Sequence, residues 1–130
     1  MKIRARVPIG GGVSSVHLAA MLVAAAGLVV VIGTGGWSVA RHRDPQPGLD
    51  RALLGVGAGA VVAIATGGLL LASGARPADP LHLVYAVVIL AVPFGARYVM
   101  RPARSPRAAG GLALAAIIGL AVIVRLVQTG

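Results

Sequence analysis

Four long apolar runs constrain the fold of this chain more than any other feature. They cover residues 13–39, 51–73, 81–100 and 108–127, and each is close to the roughly 20 residues that a helix needs to cross a bilayer. The connectors between them are short and rich in proline, glycine and arginine, which is typical of turns between antiparallel helices. The sequence therefore predicts an all-α fold, an integral membrane four-helix up-down-up-down bundle that forms a single domain over residues 13–130.

The composition agrees with a membrane protein and excludes several kinds of chemistry. At 58% hydrophobic residues and a mean hydropathy of +0.92, the 130-residue chain exceeds what a soluble core of this size needs. It contains no cysteine, which excludes disulfides, zinc–thiolate sites, iron–sulfur clusters, covalent haem attachment and thiol nucleophiles. The net charge of +9 does not indicate nucleic acid, because the basic residues cluster at the ends of the apolar runs, where they meet lipid head groups.

The orientation follows from the basic residues on each side of the predicted bundle. Five lie on the side of both termini and the second connector, and seven on the side of the first and third connectors. Excess positive charge marks the cytoplasmic side, so we expect both termini outside. The bias to Ala, Gly, Val and Arg is typical of a GC-rich bacterial genome, which predicts the bacterial cytoplasmic membrane. The two sets are Lys2, Arg4, Arg6, Arg76 and Arg125, against Arg41, Arg43, Arg51, Arg97, Arg101, Arg104 and Arg107.

The N-terminal region allows two interpretations. Residues 1–12 are basic and then glycine-rich, which predicts a flexible or interfacial segment before the first span. Residues 33–36 (GTGG) are expected to loosen the end of that span, with Trp37 as an interfacial anchor. The competing interpretation is a cleaved signal peptide, since residues 38–40 (SVA) imitate a cleavage site. Three spans would then remain.

Small residues recur at four-residue spacing in the second and fourth runs. Such stripes let another helix or a planar ligand approach the backbone closely, and tight helix packing is the plainer of the two interpretations. Asp50 is expected to cap the second helix, and Pro93 to kink the third near Ile89–Val92. The stripe residues are Gly55, Gly59, Ala63 and Gly67 in the second run, and Gly111, Ala115 and Gly119 in the fourth.

Two histidines occupy equivalent places in the first and third runs. His17 and His82 each lie near the start of a span, and these spans cross in the same direction, so both imidazoles are expected at one membrane face. Two imidazoles at matched depth suit a six-coordinate haem iron, so we expect them to be the axial ligands of a haem b. Arg125, at similar depth, would pair with a propionate, and Tyr85 lies one turn after His82. Alternatively, each histidine bonds water, a lipid phosphate or a backbone carbonyl, and Tyr85 is an interfacial aromatic.

Acid–base and ion-transport mechanisms find little support in the acidic residues. The three aspartates, Asp44, Asp50 and Asp79, all lie in connectors or at helix starts. Hydrolysis would need carboxylates or an activated nucleophile inside the bundle, and an ion-coupled transporter would usually show an intramembrane acid. We therefore expect no enzymatic activity from this chain on its own.

The placement of these motifs resembles one four-helix half of bacterial haem A synthase. The resemblance rests on His17 near the start of the first span, residues 67–71 (GGLLL) ending the second, and Leu81-His82 opening the third, with 65 residues between the histidines. It implies a b-type haem held by paired histidines toward the outer face. The family's glutamate and arginine around its first histidine are replaced here by Ser14 and Leu18, and the cysteine pair of many members is missing. The synthase reaction is therefore not expected, whereas carrying electrons or haem is.

Three functions remain open at the level of the sequence. The first is a small membrane protein that binds haem b and passes electrons near the outer leaflet, with quinol as a donor, as a homodimer or beside a larger partner. The second is a cofactor-free accessory or assembly subunit whose glycine stripes and arginines dock a larger membrane complex. The third is a small transporter or lipid-binding protein.

Overall fold

The computed structural model describes residues 10–43, 48–76, 80–99 and 105–129. Several predictions concern residues outside these ranges: most of the basic N-terminal segment, Asp44, Asp79 and the basic connector that holds Arg101 and Arg104. The described chain forms four helices, α1 (Gly10–Arg41), α2 (Gly48–Ala72), α3 (Leu81–Val99) and α4 (Pro106–Thr129), and no strand. The prediction of an all-helical fold with four helices is thus confirmed. By length and composition, all four helices are long and apolar enough to cross a membrane.

The helix ends follow local signals in the sequence. α2 ends at a glycine in the left-handed region, Gly74 with φ of 93°, and the N–H groups of Gly74 and Ala75 donate to the Leu71 and Leu70 carbonyls at 3.0 Å. At the start of α4, Ser105 precedes Pro106, and its Oγ accepts a hydrogen bond from the Ala108 N–H at 3.3 Å. Serine as the cap with proline at the first helical position is a common way to begin a helix.

The four helices pack as a ring in chain order. α1 makes extensive contacts with α2 and α4, and α3 packs mainly on α4 and touches α2 much less. Neither α1 with α3 nor α2 with α4 approaches closely in the described parts of the chain. The largest fully buried side chains are Leu28, Val31, Val56 and Pro93. The core therefore runs along α1, with α2 and α4 on either side of it.

Glycines set the closest approaches between the helices. An ideal Cβ on Gly59 of α2 would lie 2.9 Å from both the Ala20 carbonyl oxygen and the Ala24 nitrogen of α1. On α1, a Cβ at Gly35 would lie 2.6 Å from the Ala109 carbonyl oxygen of α4. Only residues without a side chain fit at these two positions, because the atoms that they meet belong to a neighbouring helix backbone.

Two local expectations are wrong. α1 is not loosened at residues 33–36 but continues to Arg41, because Gly35 is packed against α4 and Thr34 Oγ1 donates to the Val30 carbonyl at 2.7 Å. Asp50 is not the cap of α2, which begins two residues earlier at Gly48. The Asp50 carboxylate instead accepts a hydrogen bond from Arg97 of α3, with 2.7 Å between Oδ1 and Nη2.

Candidate functional site

His17 is held against α2 by one ring nitrogen. Its Nδ1 lies 2.8 Å from the Ala63 carbonyl oxygen and 3.1 Å from the Thr66 Oγ1. A carbonyl can only accept, so Nδ1 carries the proton and donates. The Thr66 hydroxyl in turn donates to the Val62 carbonyl at 2.8 Å. In a neutral imidazole this arrangement leaves the lone pair on Nε2, which is then the nitrogen available to bind a metal.

The packing of the His17 ring explains why small residues follow the same side of α2. A Cβ on Gly67 would lie 3.3 Å from His17 Cε1, so the imidazole rests on a backbone with no side chain. Two further stripe residues contact α1. Gly59 lies against the Ala24 backbone, and the Ala63 carbonyl accepts the hydrogen bond from His17. Gly55 does not belong to this contact, because a Cβ there would meet no atom within 4 Å.

On α4, two of the three stripe residues are buried. Ala115 is 7% exposed, and a Cβ on Gly119 would lie 3.3 Å from Leu28 Cδ1 of α1 and 3.5 Å from Ile89 Cδ1 of α3. Gly111 is only partly buried. At Gly119 the α4 stripe therefore lies against leucine and isoleucine side chains.

A cavity of about 440 Å³ lies beside the His17 ring. Its walls come from the first turns of α1 and α3 and from the second halves of α2 and α4, and both His17 and His82 line it. The remaining wall is almost entirely aliphatic, apart from Ser14 and Arg76. Both the volume and the mixture of an apolar wall with a few convergent polar groups are typical of small-molecule sites.

The two histidines reach this cavity from opposite helices of the ring. His17 comes from α1 and His82 from α3, and these two helices do not pack on each other. Small residues also line the cavity, among them Ala60 and Gly68 of α2 and Ala86 of α3. The cavity is therefore a mostly apolar space with one histidine on each of these two helices.

The other two predicted cofactor contacts lie outside the cavity wall. Tyr85 packs against the apolar core of the bundle. Arg125 is exposed on α4, with its Nη1 3.4 Å from Gln128 Oε1. The arginine that does line the cavity is Arg76, an exposed residue in the turn after α2. Sequence reasoning used Arg76 only to assign orientation, although it is the one basic residue between Arg51 and Arg97.

The third histidine, His42, has no part in this arrangement. It lies just after the end of α1, exposed, with a left-handed φ of 49°. Within the described ranges, no group of three or more histidine, cysteine or acidic side chains could hold a metal ion. Among the described residues of the cavity wall, the histidine and acidic side chains number two, fewer than the four ligands of a structural zinc site.

Comparisons with protein-family models, with curated proteins and with solved structures gave no match for this chain. The resemblance to one half of haem A synthase therefore stays a hypothesis that rests on the placement of the histidines and of the glycine-rich segment.

Proposed function

We propose that this chain is a multi-pass membrane protein of up-down-up-down topology that binds one haem b between His17 and His82. The observation that carries the proposal is that both imidazoles line one cavity from facing helices, α1 and α3. A bis-histidine haem takes two imidazoles from the protein as ligands to its iron. The two histidines that line this mostly apolar cavity match that requirement in number and in ligand type.

The hydrogen bonds of His17 support its role as an axial ligand. A metal-bound histidine usually donates its other ring N–H to a carbonyl or carboxylate, which fixes the tautomer and makes the bound nitrogen more basic. The bond from Nδ1 to the Ala63 carbonyl, at 2.8 Å, is of this kind, and it directs Nε2 away from α2. Thr66 adds a second oxygen at 3.1 Å, which restricts rotation of the ring. His17 would thus bind with little loss of side-chain entropy.

Arg76, rather than Arg125, is the residue placed to hold an acidic edge of the ligand. Its side chain lines the cavity at the end of α2, whereas Arg125 is not among the cavity-lining residues. A guanidinium pairs well with a carboxylate through two parallel hydrogen bonds. The cavity therefore combines an apolar wall with two histidines and one arginine. These groups would suit the macrocycle, the iron and the propionates of a haem.

Bound haem would supply a one-electron carrier, with a potential set by its axial ligands and by the polarity around it. The role of the chain would be to hold that group in an apolar space near one membrane face. With the excess of arginine on the opposite side of the bundle, this face is the outer one, both termini are outside, and quinol is a suitable electron donor. The bacterial cytoplasmic membrane is the expected location.

The ligand assignment is tested by replacing each histidine in turn. His17→Ala and His82→Ala should each lose the low-spin spectrum of a bis-histidine haem, and added imidazole should restore it by filling the vacated place. His42→Ala is the matched control and should bind haem normally, since His42 is exposed and does not line the cavity. An unchanged low-spin spectrum in either of the first two variants would exclude that residue as a ligand.

Failure of the wild-type protein to bind haem would refute the proposal. The cofactor-free accessory subunit, the small transporter and the lipid-binding protein would then be the remaining functions. Co-purification of the tagged chain from native membranes would separate the first of these from the other two.

A further inference from the structure

We infer that the cavity exchanges its ligand with the bilayer through a lateral portal between α2 and α3, so that the ligand is a lipid-soluble molecule and is not delivered from water. The inference deepens the proposed function and rests on its membrane insertion, but not on the identity of the ligand as haem. It depends on three independent observations about the two helices.

The first observation is that the cavity is closed on one side and open on the other. On the α1 and α4 side most of the wall is buried, as at Met21 and Ile123, which are 6% and 5% exposed, and Ser14 near the start of α1 is its exposed member. On the α2 and α3 side the wall residues Ile64 and Leu83 also form the outer surface of the bundle, with 40% and 53% of their surface exposed. On the α2 and α3 side, a single layer of side chains therefore separates the cavity from the outside of the bundle.

The second observation is that the described side-chain contacts between α2 and α3 lie at one end of the pair, while the short connector after Ala72 joins the two helices at the other end. The Asp50–Arg97 ion pair joins the start of α2 to the end of α3. One to two turns further along α2, Gly57 receives the Phe94 ring, whose Cζ would lie 2.8 Å from a Cβ at that position. The cavity-lining residues of both helices lie beyond these contacts, and the helices otherwise touch little. The seam is thus held beside Phe94 and separated beside the cavity.

The third observation is a proline at the junction between these two parts of α3. Pro93 has no N–H, so the carbonyl of Ile89 lacks the hydrogen bond that a helix normally supplies. Helices bend most easily at such positions. Ile89 lines the cavity, and both Ile89 and Pro93 are buried. The segment from Leu81 to Ile89 would therefore move as a unit about Pro93 and widen the seam, while Phe94 and Arg97 hold the remainder of α3 in place.

The portal also lies at the depth of the apolar runs, because Ile64 is flanked by aliphatic residues on both sides in α2. A molecule that enters there meets lipid tails rather than water. This suits an amphipathic ligand with a flat apolar body, which partitions into the bilayer and then slides between the helices with its acidic end toward Arg76.

Cross-linking tests the portal directly, because the chain contains no cysteine of its own. The portal pair is Ile64→Cys with Leu83→Cys, bridged by bifunctional maleimides of increasing length. The control pair, Val39→Cys with Gly110→Cys, joins α1 to α4 where a Cβ on Gly110 would lie 3.0 Å from Val39 Cγ2. In lipid nanodiscs, bridging the portal pair should slow haem uptake by roughly tenfold or more, and bridging the control pair should leave it unchanged. Equal uptake by both bridged proteins would overturn the portal.

A second experiment gives an answer even if no haem binds. A fatty acid with a diazirine in its acyl chain is incorporated into the nanodisc, irradiated, and the labelled residues are located by mass spectrometry. Lateral access predicts label on Met21, which is buried in the α1 wall of the cavity, and none on Val31, which is fully buried in the core outside the cavity. Label confined to outward-facing residues such as Leu83 would show that acyl chains do not enter, and would overturn the inference.

Discussion

A matched pair of glycine substitutions in α2 tests the packing that positions the site. Gly59→Ala places a methyl group 2.9 Å from the Ala20 carbonyl oxygen and the Ala24 nitrogen, and 3.2 Å from the Ala24 Cβ. These atoms belong to the α1 backbone and to the methyl group of Ala24, so none of them can rotate away. Gly55→Ala, one turn earlier, places the same methyl group where no atom lies within 4 Å.

The expected free energies follow from two terms. Alanine is about 0.8–1.0 kcal/mol more favourable than glycine inside a helix, and this term is common to both variants. Overpacking costs about 1–3 kcal/mol and applies only to Gly59→Ala. We therefore expect Gly55→Ala to unfold with a free energy up to about 1 kcal/mol higher than that of the wild type. Gly59→Ala should lie about 1–3 kcal/mol below Gly55→Ala.

The assay is reversible unfolding in mixed detergent micelles, followed by far-ultraviolet circular dichroism. The difference between the two variants is more informative than either value alone, because the propensity term cancels. A larger residue at the first position, Gly59→Leu, should separate α1 from α2 further and also lower haem affinity, since His17 is held between these helices. Equal free energies of unfolding for Gly59→Ala and Gly55→Ala would refute the close contact between α1 and α2.

Three further outcomes are expected. Arg76→Gln should weaken haem binding by about tenfold or more in an equilibrium titration, while Arg125→Gln, outside the cavity wall, should leave it unchanged; equal effects would contradict the role of Arg76. Gly67→Ala should displace the His17 ring by a few tenths of an ångström and shift the low-spin electron paramagnetic resonance signal, whereas an identical signal would show that this contact does not orient the ring. Asp50→Asn should cost under about 1 kcal/mol in unfolding experiments, less at high salt, because its ion pair is exposed; a loss that salt does not change would contradict this.

The number and type of helices could be predicted because the bilayer fixes the length of an apolar run. Hydropathy alone locates the four runs, and the glycine and proline connectors separate them. The effect of the glycines at residues 33–36 on α1 could not be predicted in the same way, because glycine is common both at helix ends and at close contacts between helices. The structure shows the second use at Gly35, because α4 covers it. The sequence around Gly35 does not indicate a contact with Ala109 of α4, because Ala109 is more than 70 residues away in the chain.

Which stripe residues face a neighbour also depends on tertiary structure. A helix has 3.6 residues per turn, so positions four apart advance by about 40° around the axis at each step. Gly55, Gly59 and Gly67 therefore cannot all point the same way, and only the last two meet α1. The candidate site, too, could be predicted only in part from the sequence. The shared placement of His17 and His82 was visible in the sequence, whereas Arg76 reaches the cavity through a turn that depends on the left-handed Gly74.

The most direct test of the account is the haem content of the purified protein. The chain is expressed with ample haem supply, purified in detergent, and measured by a reduced-minus-oxidised visible spectrum and a pyridine haemochrome assay. The purified protein should show a sharp b-type band, close to one haem per chain, that disappears in the His82→Ala variant. A protein that is folded and helical but shows no such band would contradict haem binding by this chain.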